Sequence, residues 1–388
     1  MKLVGSENKH IKRLDWIRVI SCIMVFLYHL NILKGGFLAV CTFFVLSGYL
    51  SCASALKNEK FSIKTYYKKR FIKLYVPLII IVAFTVLIIK CIKGINWLNL
   101  KPETLSVLFG YNNFWQLNAN LDYFTRHVNS PFMHLWYIAI LIQFDLVFPI
   151  LFTLFKKIDI TLKMNVSVFV VILASLVSTI VFFYMSKTQN IMTVYYNTFA
   201  RCFSIIYGVL LALLLHKYNI KLSQVLIKNN KIIFMVYSLL LILLGIFISS
   251  ETSNYAIYMI IASIISVRLI RYSYFEKSKL NNNFLDKTVS FIAKFSYEIY
   301  LVQYPVIFLV QNKLKNSFAR CLVIIIVALI ISYLIHTLIN KHFANKHFNA
   351  IKKVALRINY NFGFMHSYNR KRLYFWNEGA WEHIKWEC

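Results

Sequence analysis

Arg18 and His29 lie eleven residues apart inside the first apolar stretch of the chain, Leu14–Leu33. On a helix that interval is about three turns and about 16 Å, so the two side chains share a face. An ionisable group in a hydrocarbon-spanning helix costs about 2.5 kcal/mol or more, which marks such a pair as a functional-site candidate. An arginine can hold phosphate oxygens through charge-assisted hydrogen bonds. A neutral imidazole can take a proton from a hydroxyl. One group near each side of a bilayer suggests chemistry that connects the two sides. His134 and Asp145 repeat the same interval in a later apolar stretch.

The elements that must position these residues are membrane helices. The chain has 388 residues, of which 59% are hydrophobic and 15% charged. A soluble domain carries about 25% charged residues. The reading is an all-α polytopic membrane protein with about ten transmembrane helices. They are expected near residues 14–33, 37–54, 74–93, 134–155, 164–185, 195–215, 232–250, 254–270, 288–311 and 319–339. No cleavable signal peptide is expected. The seven cysteines show no disulfide framework and no metal-ligand spacing, and no metal is expected.

The net charge of +30 is unevenly placed. Residues 1–13, 57–73, 156–163, 217–231 and 268–287 carry four, seven, three, four and five Lys or Arg. The alternate loops are sparse, with Lys34, Lys101, Arg126, Lys187, Lys313 and Lys315. This alternation follows the positive-inside rule and places both termini in the cytoplasm. It assigns the positive charge to a surface facing anionic lipid, and no nucleic-acid partner is expected. The long loop 94–133 holds Trp97, Tyr111, Phe114, Trp115, Tyr123 and Phe124. Such residues suit a sugar or a lipid headgroup, and equally an interfacial aromatic belt. Residues 341–388 read as a basic cytoplasmic tail after a transmembrane domain spanning 1–340.

Five stretches, in order, resemble a known family. Leu14–Leu30 (LDWIRVISCIMVFLYHL) resembles the first helix of the acyltransferase-3 family of integral membrane acyltransferases, with its arginine–ten residues–histidine signature. Phe43–Ser51 (FFVLSGYLS) resembles the second helix. Tyr66–Leu78 (YYKKRFIKLYVPL) is similar to the basic loop entering the third, His134–Pro149 to an HLWYL-type fourth helix, and Phe295–Pro305 to a motif near the ninth. The resemblance covers roughly residues 11–340. It implies transfer of an acyl group, often acetyl, from cytoplasmic acyl-CoA to a hydroxyl of an extracytoplasmic sugar, in the subset tied to exopolysaccharide and the cell envelope.

Carried over residue by residue, the resemblance assigns catalysis to His29, Arg18 and His134. His29 would be the general base, or would form an acyl-imidazole; the first needs no second carrier step. Arg18 would hold the coenzyme A pyrophosphate or pantetheine, although Asp15, three residues earlier, is an alternative ion-pair partner. Arg70 and Lys73 occupy the family's Arg-x-x-Arg positions. Lys there keeps the charge and loses the bidentate fork. Lys69 and Lys68 add positive charge. His134 would orient the acceptor or relay a proton. Trp136, Tyr300, Gln303 and Glu298 are expected at the acceptor site, and Tyr297 in the same cavity. Asp145 is expected to pair with Arg18 or Arg201. Ser47 and Ser51 are expected to be packing residues. Many relatives carry two acids where this chain has Leu141 and Ile142, and a histidine where it has Gln303, which concentrates proton transfer on His29.

The sequence therefore reads as a multi-pass acyltransferase of a bacterial inner membrane. Its expected donor is acetyl-CoA or another acyl-CoA. Its expected partners are membrane lipids, a carbohydrate acceptor and polysaccharide-synthesis machinery. The alternative is an exporter of a polysaccharide or lipid-linked sugar, because a charged interior among ten helices could also form a pathway.

Overall fold

The computed structural model describes residues 11–92, 99–121, 123–125, 130–218, 230–252, 254–275, 283–310 and 317–361, with side chains through residue 342. Trp97, Arg126, Lys313, Lys315, parts of the charge-rich loops and the tail beyond Asn361 lie outside the described residues. Among those described there is no strand. The described residues up to Tyr333 form one compact unit, and residues 334–361 belong to a second.

Eight helical stretches among the described residues are long and apolar enough to cross a membrane. The protein is an all-α polytopic membrane protein. Its helices are α1 (Lys12–His29), α2 (Ala39–Lys57), α3 (Ile63–Arg70), α4 (Val76–Cys91), α5 (Leu100–Leu108), α6 (Asn112–Asn118), α7 (Trp136–Leu162), α8 (Val166–Thr188), α9 (Ile191–Tyr196), α10 (Thr198–Lys217), α11 (Asn230–Phe247), α12 (Tyr255–Tyr274), α13 (Phe284–Ala293), α14 (Ser296–Val310) and α15 (Ser317–Asn361).

Three expectations change in detail. The first span, α1, carries Lys12, Arg13, Asp15 and Arg18 in its first two turns, so its polar end depends on protein partners. Trp16 donates to Asp286 at 3.0 Å and Arg13 to the Tyr272 carbonyl at 3.4 Å. The expected single span at 288–311 is instead two helices, α13 and α14, broken at Lys294–Phe295. The basic loop expected before residue 74 is helical: α3 passes into α4 through a π-helical turn at Phe71–Tyr75. Pro77 accounts for the widening, since it has no N–H to offer the Lys73 carbonyl one turn earlier.

α2 is the central helix, with 78% of its apolar window buried against 17% for the span that begins α15. It packs most extensively on α10, and two glycines make that contact possible. A Cβ at Gly48 would collide with the Ile205 carbonyl, and one at Gly208 with the Val45 carbonyl. Small residues at such a seam let helix backbones approach closely. Outward faces carry large apolar side chains such as Phe84, Phe169, Ile180 and Met235, as hydrocarbon requires.

The turn after α1 fixes where His29 ends up. Leu30 N–H bonds to the Phe26 carbonyl at 3.0 Å, and Asn31 takes φ 61°, a left-handed conformation that asparagine tolerates. The chain then folds back so tightly that a Cβ on Gly36 would strike the Met24 carbonyl and the Tyr28 side chain.

Replacing Gly208 by leucine forces α10 away from α2 or strains both. Overpacking of this kind costs about 1–3 kcal/mol. Gly208→Leu is expected to lower the melting temperature of the detergent-purified protein by several degrees, read by tryptophan fluorescence. An unchanged melting temperature would refute the seam's importance.

Candidate active site

Two polar clusters lie along α7, one at its start and one in its first half. The first gathers His29 from the end of α1, His134 from the 3-10 turn that starts α7, Gln303 and Tyr304 from α14, and Tyr123 from a short 3-10 turn. The second gathers Asp145 from α7, Tyr66 and Arg70 from α3, and Ser51 from α2. His134, in the turn that leads into α7, and Asp145, on α7, are eleven residues apart, so the clusters lie about 16 Å apart along this direction.

In the first cluster the two imidazoles lie edge to face, ring centroids 6.1 Å apart. Tyr304 touches both: 4.9 Å from His29 and stacked 5.0 Å from His134. His29 Nε2 shares a 2.8 Å hydrogen bond with the Tyr123 hydroxyl. His134 Nε2 lies 3.3 Å from the Leu301 carbonyl, which only accepts, so Nε2 carries the proton and Nδ1 the lone pair. The Tyr300 hydroxyl donates to the His134 carbonyl at 2.5 Å and fixes the start of α7. Burial holds the Tyr123 hydroxyl well above its ordinary pKa, so it is a neutral phenol.

Several hydrogen bonds are left unmade in this cluster. His29 and His134 are both buried, and the Nδ1 of each lacks a hydrogen-bond partner among the described residues. Gln303 is fully enclosed and faces His29, and neither its Oε1 nor its Nε2 completes a well-formed hydrogen bond among the described residues. Buried polar atoms are normally satisfied, so each exception needs a reason. Four orphaned atoms on three neighbouring side chains supply donors and acceptors for a bound molecule. When Nε2–H of His29 donates to the Tyr123 oxygen, the Nδ1 lone pair is free to act as a base.

In the second cluster Asp145 Oδ1 accepts from Tyr66 Oη at 2.6 Å and pairs with the Arg70 guanidinium, whose Nε lies 3.2 Å away and donates to Tyr66 Oη at 3.3 Å. Arg70 Nη2 also donates to Ser51 Oγ, which in turn donates to the Ser47 carbonyl at 2.7 Å. Asp145 therefore pairs with Arg70, correcting the expected pairing with Arg18 or Arg201. Ser51 joins this network, beyond the packing role expected of it. Arg18 pairs with Asp15 one turn away in its own helix, at 3.4 Å. Lys73 is half-buried in the π turn, whereas Lys69 and Lys68 are exposed.

Aromatic rings and hydroxyls line the interval between the clusters. Tyr300 lies 5.2 Å from His134 and 5.4 Å from Tyr137, and Tyr137 lies 4.7 Å from Phe44. Tyr297 donates to the Leu74 carbonyl at 2.9 Å. Trp136 is fully buried against Tyr195, 4.5 Å away. Glu298 is buried in the first turn of α14, five residues and about 7.5 Å below Gln303.

Several residues of this region escaped sequence reasoning. Tyr123 sat in an aromatic-rich loop with nothing to single it out, and Tyr304 looked like core. Glu103, in α5, is fully enclosed and accepts from Gln116 at 3.1 Å and from Ser130 Oγ. Ser130 Oγ accepts from Phe132 N–H at 3.1 Å, so Glu103 braces the stretch that delivers His134. Gln143 ties α6 to α7 and α10, donating to Gly110 and Asn113 at 2.9 Å each and accepting from Thr198 at 2.6 Å. The only signal for any of these was a polar residue in an apolar or aromatic setting.

Residues 11–337 match the family model described as an acyltransferase domain, that of acyltransferase 3. The chain belongs to the acyltransferase-3 family. It is 30% identical over 327 residues to the peptidoglycan O-acetyltransferase OatA of Listeria monocytogenes, covering 80% of this chain and 51% of that protein. It is 27% identical over 316 residues to the O-acetyltransferase OatA of Staphylococcus aureus, covering 78% of this chain and 52% of the relative. A putative O-acetyltransferase of S. aureus strain COL is 29% identical over 323 residues, with 79% and 52% coverage. The chain thus spans about half the length of the curated relatives it matches. No solved structure matches it significantly.

Breaking the Arg70–Asp145 pair strands a buried carboxylate or a largely buried cation. Loss of one partner of a fully buried pair costs about 3–5 kcal/mol. Arg70 is 25% exposed, so solvent screening lowers the expected cost to about 1–3 kcal/mol. Asp145→Ala and Arg70→Ala are each expected to destabilise the protein, and the double variant to lose less than the sum. Additive losses in a thermal-unfolding cycle would dismiss the pair.

Proposed function

We propose that this chain is a membrane O-acyltransferase that moves an acetyl group from acetyl-CoA to a hydroxyl of a cell-envelope glycan. The observation that carries the reading is the enclosed His29–His134 pair with both Nδ1 atoms unbonded. Such a pair offers proton acceptors where a hydroxyl and a thioester can meet. The Arg70 cluster lies about 16 Å away along α7. An extended pantetheine arm would run past Tyr137 and Tyr300 from one cluster to the other.

The chemistry follows from the atoms present. His29 Nδ1 takes the proton of the sugar hydroxyl as its oxygen attacks the thioester carbonyl. The tetrahedral centre collapses, the C–S bond breaks, and the thiolate leaves with that proton as the free thiol. The unbonded Gln303 amide N–H would donate to the developing oxyanion, joined by the Tyr304 hydroxyl on leaving the Met133 sulfur it meets at 3.4 Å. His134 orients the acceptor. Attack by the imidazole itself, giving an acyl-His29 that the sugar then receives, uses the same contacts.

Donor binding belongs at the Arg70 end. Arg70 and Lys73 would meet the coenzyme A phosphates, with Arg18 and Lys69 adding charge. Arg70 is already paired with Asp145, so a phosphate there exchanges with a carboxylate. The distribution of Lys and Arg supports a cytoplasmic Arg70 end, cytoplasmic termini and a bacterial inner-membrane location. Peptidoglycan, which the Listeria relative's name specifies, joins exopolysaccharide as a candidate acceptor. Membrane lipids and glycan-synthesis machinery are the proposed partners. The matching relatives are named O-acetyltransferases, which favours transfer over export.

Removing a general base typically costs about 10²–10⁴-fold in rate. His29→Ala is expected to eliminate detectable acetate from envelope glycans while the protein still reaches the membrane. Mass spectrometry of peptidoglycan and exopolysaccharide fractions, with and without the gene, reads both the loss and the acceptor. Wild-type acetate levels with a well-folded His29→Ala protein would sink the mechanism. An unchanged acetate content with altered glycan location would favour export.

A further inference from the structure

The first turn of α10 buries an arginine for which the proposed reaction has given no role. Arg201 is fully enclosed, and Asn197 caps its helix by accepting from Ala200 N–H at 3.1 Å. Its guanidinium carries five N–H donors. Among the described residues it meets the Met259 sulfur at 2.9 Å and the Cys41 sulfur at 3.5 Å, and its Nε bonds to nothing. No described carboxylate pairs with it. What surrounds the charge is aromatic. Its Cζ lies 4.9 Å from the centre of the Tyr195 ring, 5.5 Å from Phe44 and 5.8 Å from Trp136.

Those rings lead to the histidines. Tyr195 stacks on Tyr123 at 5.4 Å, with planes 26° apart, and Trp136 meets Tyr123 edge-on at 6.2 Å. The other face of this group is closed by Tyr28, stacked on Tyr123 at 5.6 Å. Tyr123 then makes the 2.8 Å hydrogen bond to His29 Nε2. Tyr123 comes from the three-residue 3-10 turn Tyr123–Thr125, and its ring is packed between Tyr28 and Tyr195. A cation over an aromatic face attracts it and fixes its orientation, most strongly where water is excluded.

We propose that Arg201 is a positioning residue for His29, acting through the Tyr195–Tyr123 stack. The guanidinium clamps Tyr195 and Trp136, these hold the Tyr123 ring, and the Tyr123 hydroxyl sets the His29 ring so that Nδ1 faces the reactive space. The inference rests on the reading of His29 as the proton acceptor.

The test uses the full chain in proteoliposomes, with [14C]acetyl-CoA as donor and soluble peptidoglycan fragments as acceptor, normalised to monodisperse protein. A misplacement of about 1 Å at a reacting group costs up to about 10²-fold, so Arg201→Met is expected to lower kcat about 30-fold. The KM for acetyl-CoA should stay within about twofold, since ground-state donor binding is untouched. Arg201→Lys keeps the cation and should recover most of the loss. Tyr123→Phe should lower kcat to a similar extent, and the double variant should be no worse than the poorer single one, as expected of residues acting as a unit.

Multiplying losses in the double variant, a rise in KM equal to the fall in kcat, or no rescue by lysine would each overturn the inference. So would an Arg201→Met protein of wild-type kcat. If the unsubstituted chain transfers no acetate, the acyltransferase reading fails and this inference with it. If it transfers acetate and the Arg201 variants behave otherwise than stated, only the inference fails.

Discussion

In hydrocarbon, a polar side chain must find its partner inside the protein, and this requirement organises the whole molecule. Water is absent from the bilayer core, so each buried donor or acceptor left alone costs free energy that nothing else repays. Most of the buried polar groups here obey. Asp145 presents its Oδ1 to both Tyr66 and Arg70. Glu103 is held by an amide and a hydroxyl, and Ser204 and Ser263 bond to each other at 2.8 Å between α10 and α12. The unbonded edges of His29, His134 and Gln303 are among the exceptions, and these three side chains lie together.

The two clusters are therefore of different kinds. The Arg70 end is a closed circuit of charge and hydroxyl. The histidine end is a set of uncommitted atoms walled by rings. α7 carries a member of each, and α2 runs beside it from Phe44 to Ser51, so the same two rigid helices set the separation. The glycine seam that presses α2 on α10 keeps this scaffold from spreading, and the short helices α5 and α6 are tied down over the histidine end by Gln143 and Glu103.

Much of this was legible in the sequence. Long apolar runs with basic loops between them gave a helical membrane protein, because hydrocarbon leaves a single chain few alternatives. The spacing of Arg18 and His29 marked the first helix, and the HLWY stretch marked the fourth. Pairing was not legible. Tyr66 and Asp145 are 79 positions apart and His29 and Tyr123 are 94, and no periodicity within either segment reports on the other. The break at Lys294–Phe295 was hidden because both halves are apolar, so hydropathy sums across the gap. The basic stretch around Arg70 read as a loop because its charges masked a helix that Ser62 caps and α4 continues.

The π turn at Phe71–Tyr75 has a consequence for how this segment tolerates change in length. A π turn is in effect an α-helix with one residue added, and each residue rotates the helix by about 100°. Loss of one residue there would leave α4 in place and swing everything before it by that angle. Tyr66 and Arg70 would leave the face they present to Asp145, and Ser51 would lose its guanidinium partner. A single-residue deletion, harmless in most helix-connecting segments, would here take the Tyr66–Arg70–Asp145 cluster apart while leaving the hydropathy profile almost untouched.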